Sequence, residues 1–216
     1  MMMAQLCLTM SPGGSGKSLG SLLCSTADIK RRIILAHAAF QTYRKLWLQG
    51  SKIPLKRKLV VYDAQVISVL LYNCSSWSAP KHVMAKLYTC QRKHFRSICN
   101  IYWPKGVISN RELYRRCGVT PITERVRKAR WTLLGHILRS DDNCPARLAL
   151  RYAISSSDHL KGRLGRPRTN PFSILWNDLK GHNIKLKNVD DLVDLKMLAY
   201  NRSLWRSMFT FNDYYG

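Results

Sequence analysis

Apolar residues at Ile29, Ile33, Ala36, Phe40, Tyr43 and Trp47 recur at spacings of 4-3-4-3-4. That rhythm places them on one stripe of an α-helix, because a strand face repeats every second residue instead. Ser25 or Thr26 suits the start of this helix, Asp28 its first turn and Gly50 its end. The rhythm returns after Pro54 in Leu55, Leu59, Tyr62, Val66 and Val69. It returns again after Pro80 in Val83, Met84, Leu87, Phe95 and Ile98. Three amphipathic helices with short connections predict a three-helix unit over residues 25–100.

Trp103-Pro104 and Gly106 interrupt the pattern. Ser109-Asn110-Arg111-Glu112 then reads as a capping box that opens a helix over 110–117 and stops at Gly118. Thr120-Pro121 starts the next helix, with Ile122, Val126, Leu133 and Ile137 inward and Arg125, Arg127, Lys128 and Arg130 elsewhere. We read 1–24 as a flexible N-terminal segment, 101–154 as a helical connector and 155–171 as a basic Gly/Pro/Ser linker. Residues 172–216 read as C-terminal helices, one at about 172–180 and one from an Asn188 cap through Phe209. No alternating pattern runs longer than four residues, so the expected fold is mainly α, a helical bundle followed by shorter helices.

Charge then narrows the function. The 216 residues hold 36 Lys+Arg against 12 Asp+Glu, for a net charge of +24. A compact chain so charged repels itself, and a polyanionic partner is the economical explanation. The excess is local: residues 29–140 hold 23 basic residues against Asp63, Glu112 and Glu124. Phe40, Trp47, Tyr62, Trp77, Phe95 and Trp131 interleave with them, so the segment reads as folded, with its charge on the surface. The expected phosphate contacts are Arg31, Arg32, Lys56, Arg57, Lys58, Arg92, Lys93, Arg96, Arg127, Lys128 and Arg130. Arg163, Arg166 and Arg168 join them from the linker, and the partner is RNA, DNA or their hybrid. A hydrophobic content of 46% excludes wholesale disorder. The longest apolar run, about seven residues from Val66 to Tyr72, is far short of the ~20 that span a bilayer. Met1 to Met10 has no basic residue ahead of it and does not read as a secretory signal. The expected location is intracellular, nuclear or cytoplasmic.

Several motifs carry less than they promise. Gly13-Gly14-Ser15-Gly16-Lys17-Ser18 is similar to a phosphate-binding loop, but Ser11 stands where that pattern needs glycine. Asp190-Asp191 follows a helix-cap position and suits the helix dipole better than a metal pair, and Asp141-Asp142 reads as a loop. Seven cysteines without a C-x-x-C pair do not make a disulfide framework. Cys90, His94 and Cys99 would not share one helical face, so no metal site is expected of them. His136 reads as structural or as touching nucleic acid. Gly165-Arg166-Pro167-Arg168 offers an alternative function, a small basic protein that inserts arginine into an A·T-rich minor groove. Leu164 departs from that hook pattern.

An ordered set of residues resembles one family. Leu19-Gly20-Ser21-Leu22-Leu23, Asp28-Ile29-x-x-Arg32-Ile33, Leu35-Ala36-x-Ala38-Ala39-Phe40 and Trp47 are similar to the segment after the palm of non-LTR (LINE-type) retrotransposon reverse transcriptases. Leu70-Leu71-Tyr72-Asn73-Cys74-Ser75-Ser76-Trp77, Trp103, Asn110-x-Glu112-Leu113, Gly135-His136-x-x-Arg139, Gly165-Arg166-Pro167 and Ala199-x-x-Arg202-x-x-Trp205 continue it in the family's order. Asn73 and Ser75 stand where the family usually has Gly and Glu. The resemblance implies a thumb at 25–100, which grips the template–primer duplex, followed by a connector. It also implies a palm as the missing partner, with the paired aspartates and a divalent metal such as magnesium. This chain is then expected to hold no catalytic residue and no cofactor of its own.

Overall fold

In a computed structural model of the protein, residues 17–18, 20–22, 24–48, 52–102, 104, 106–155, 174–175, 178 and 191–208 are described. The fold is mainly helical, as the periodicity predicts. Two units divide the chain: residues 1–73 with 80–109, and residues 74–79 with 110–216.

In the first unit, α1 (Ser25–Thr42) buries Ile29, Ala36 and Phe40. The expected single helix to Gly50 instead breaks at Tyr43, where φ −97° and ψ 18° leave the helical range. A short α2 (Arg44–Leu48) follows and carries Trp47 inward. Its indole Nε1 donates to the Phe40 carbonyl at 2.8 Å, and the two rings stack 5.3 Å apart. Pro54, Pro80 and Pro121, all extended, stand just ahead of α3 (Leu55–Tyr62), α5 (Lys81–Ile98) and α7 (Ile122–Arg139). Beyond α3 the chain makes a π-helical turn (Asp63–Ile67) before α4 (Ser68–Leu70). The wider turn adds a residue to the repeat. Val66 and Ile67 are therefore both buried, and the inward position expected at Val69 passes to Leu70.

A two-residue antiparallel pair, β1 (Lys17–Ser18) and β2 (Ser21–Leu22), turns at Gly20 with φ +78°. Asp28, fully buried, accepts from Ser21 Oγ at 2.8 Å and Leu22 N at 3.0 Å, and lies 3.7 Å from Arg32 Nε. Arg31 and Arg32 both donate to the Gly20 carbonyl, at 2.9 and 2.7 Å. Residues 20–22, expected within a flexible segment, are thus tied to α1.

In the second unit, α6 (Asn110–Cys117) stops at Gly118 with φ +60°, as the capping box and glycine predict. A 3₁₀ turn (Cys74–Ser76) packs on α7, and α8 (Pro145–Ser155) follows. The α7 stripe runs through Trp131, Leu134 and Leu138; Leu133, expected inside, is 37% exposed. The single closing helix is in fact two, α9 (Asp191–Tyr200) and α10 (Arg202–Met208). Asn201 divides them, its Oδ1 accepting from Leu204 N at 3.1 Å as a helix cap. Trp131, Leu134, Leu138, Ile154, Leu192, Leu195, Ala199 and Trp205 form this unit's core. The phosphate-loop-like stretch through Gly16, the linker beyond Ser155, Asn188, Asp190 and Phe209 lie outside the described residues. Among the described residues no helix is long and apolar enough to cross a membrane.

Candidate nucleic-acid interface

Residues 24–102 hold fourteen Lys+Arg and only two acids, Asp28 and Asp63. Helices α3 and α5 contain no acid at all. Because each helix commits its apolar stripe to the core, the cations fall on the remaining faces. Lys56, Arg57 and Lys93 are exposed; Arg92 and Arg96 are half-buried. Arg92 Nη2 rests on Thr89 Oγ1 at 3.3 Å and Arg96 Nη2 on the Ile108 carbonyl at 3.4 Å. Lys30, Lys45, Lys81 and Lys86 are exposed as well.

Two expected contacts point inward. Lys58 is 2% exposed and its Nζ donates to the Trp47 carbonyl at 3.0 Å. Arg32 is 7% exposed, bonded to Gly20 and Asp28, with its guanidinium 4.2 Å from the Tyr72 ring centroid. Helical phase carries the signal for Lys58, which lies four residues before Tyr62 on the buried stripe. Adjacent positions of the Lys56-Arg57-Lys58 run face different ways.

In the second unit Lys128 is exposed. Its neighbours are engaged: Arg127 meets Glu124 at 3.2 Å and Arg130 meets Asp178 at 3.3 Å. Burial pushes the Arg130 guanidinium below its ordinary pKa, against the pull of Asp178. Arg163, Arg166 and Arg168 lie outside the described residues, as does the Gly165–Arg168 hook. His136 is exposed on α7.

Asp28, Glu124, Asp142 and Asp178 each pair with a cation of the same unit. Asp142 accepts from Lys196 at 3.0 Å and lies 3.4 Å from Arg147, and these partners, Lys196 foremost, hold its carboxyl below the usual range. Asp28, Glu124 and Asp178 are bound to arginines.

The chain matches no family model, no curated protein and no solved structure.

Proposed function

We propose that this chain is the thumb and connector of a non-LTR-type reverse transcriptase and binds template–primer nucleic acid through phosphate contacts. The observation that carries the binding reading is the charge balance of residues 24–102. With Arg32 and Lys58 turned inward, twelve cations remain outside the core, and Asp63 is the one acid there that is not buried. Lys56, Arg57, Arg92, Lys93, Arg96 and Lys128 are the residues we assign to phosphate. They act as point charges without reading sequence.

The residues of the family resemblance also meet one another. In the first unit Gly20, Ser21, Asp28, Arg32 and Tyr72 form one hydrogen-bonded and cation–π cluster. In the second, Arg139 Nη1 donates to the Ala199 carbonyl at 2.9 Å and Gly135 faces Trp205. Asn73 has φ 57°, a left-handed conformation that glycine adopts at no cost and asparagine tolerates. The departure from the family's glycine therefore keeps the backbone turn. The polymerase chemistry and its magnesium belong, in this reading, to the palm.

The test is a paired charge swap. Lys56→Glu with Arg57→Glu weakens binding to a labelled RNA–DNA hybrid and to unrelated duplexes alike, with the melting temperature unchanged. Undiminished binding, or a loss confined to one sequence, overturns the reading.

A further inference from the structure

We propose that His37, Cys90 and His94 form a transition-metal site, suited to Zn²⁺, that braces α1 against α5. The inference stands apart from nucleic-acid binding. Cys90 and His94 are one turn apart on α5, and His37 faces them from α1. Their donor atoms all lie within 4.8 Å of one another. His94 Nε2 is 2.9 Å from His37 Nδ1, and Cys90 Sγ is 3.8 Å from His37 Nε2. Among the described residues this is the one cluster of three such groups, and Cys99 has no part in it.

The second layer is in place too. The Tyr62 hydroxyl lies 3.0 Å from His94 Nδ1. With the Nδ1 proton donated to the Tyr62 oxygen, Nε2 keeps its lone pair and faces His37. Metal-binding histidines are commonly oriented by such a partner on the far nitrogen. Phe40 stacks on the His94 ring at 4.1 Å and fixes its plane.

His37 turns Nδ1 to His94 and Nε2 to Cys90, and a metal takes only one of them, so a donor separation of up to 4.8 Å closes by about 1 Å as the site forms. Tetrahedral zinc with bonds of about 2.0–2.1 Å to nitrogen sets two nitrogens roughly 3.3 Å apart, so the 2.9 Å contact opens by a few tenths of an ångström. One thiolate with two imidazoles favours zinc or a similar ion over magnesium. Binding forms the sulfur–metal bond as the Cys90 S–H bond breaks, and its proton passes to solvent. Burial raises the Cys90 thiol and Lys93 beside it pulls only partly the other way, so the metal itself must displace the proton. His37 is only half-buried, which leaves the fourth position to water.

The test uses the full chain, stripped with chelator and titrated with Co²⁺ and Zn²⁺ alone. One equivalent of Co²⁺ gives a thiolate charge-transfer band with the visible bands of a four-coordinate site, and Zn²⁺ displaces it and raises the melting temperature. His37→Ala and Cys90→Ala each weaken Co²⁺ binding at least tenfold, while Cys99→Ala leaves it unchanged. Since Cys90 is buried, His37→Ala is the variant that reports on the site with the fold intact, as its metal-free melt verifies. No saturable cobalt spectrum, or one that survives His37→Ala, overturns the proposal.

Discussion

Gly135 and Trp205 touch where no larger residue fits: a β-carbon on Gly135 would lie 2.5 Å from the indole Nε1. That nitrogen donates to the Trp131 carbonyl at 3.1 Å, which fixes the ring across α7. Replacing glycine by alanine inside a helix ordinarily stabilises by about 0.5–1 kcal/mol. Here overpacking, at about 1–3 kcal/mol, outweighs that gain. Gly135→Ala therefore lowers unfolding stability by roughly 1–2 kcal/mol in a denaturant melt. An increase would contradict this packing.

Lys56 and Lys58 look alike in sequence and differ in cost. Lys58→Ala leaves the Trp47 carbonyl without its buried charged donor, a loss of about 1.5–3 kcal/mol. Lys56→Ala, exposed, stays within about 0.5 kcal/mol of the parent. Thermal melts of the two variants separate them, and equal melts would refute the inward placement.

Stability falls in acid. Burial, with His37 beside it, pushes the His94 imidazole from 6.5 down to about 3. The unfolded chain takes up a proton where the folded one does not, so protons favour unfolding. The contribution is whole above pH 6.5 and is lost as pH falls toward about 3, by at most ~1.4 kcal/mol per pH unit. His94→Phe keeps a stacking ring beside Phe40 but removes the titration. In chelator-treated protein the variant loses less stability than the parent between about pH 7 and about pH 5. Parallel losses would contradict the assignment.

The cysteines separate by reactivity. Burial raises the Cys74 and Cys90 thiols to about 11. Cys144, only half-buried, is lowered from its ordinary value, chiefly by the backbone N–H of Ala146. The thiolate is the reactive form. Iodoacetamide on the native protein, read by mass spectrometry, therefore labels Cys144 well before Cys74 or Cys90. The reverse order would refute the burial of those two thiols.

Much of the fold is legible in periodicity, because burial of one helical face writes it into the chain. Ile29, Ala36, Phe40 and Trp47 are core residues, and α6 starts at Asn110, inside the capping box, and stops at Gly118. Phase errors begin where a helix departs from 3.6 residues per turn. The π-helical turn at Asp63–Ile67 moves the stripe from Val69 to Leu70, and nothing local in those residues announces it. The site was less legible. A count of charge does not tell a surface lysine from Lys58, whose stem follows the buried stripe to a carbonyl. His37 lies 53 residues before Cys90, so their meeting depends on how α1 packs against α5 and on no spacing within either.

The salt dependence of binding tests most directly the proposed grip of surface cations on phosphate. The affinity of the full chain for an RNA–DNA hybrid is measured by fluorescence anisotropy between about 50 and about 200 mM salt. With six or more phosphates neutralised, affinity falls by about 10³ or more across that range, equally for unrelated sequences. A flat response, or no binding at the lowest salt, would contradict the account.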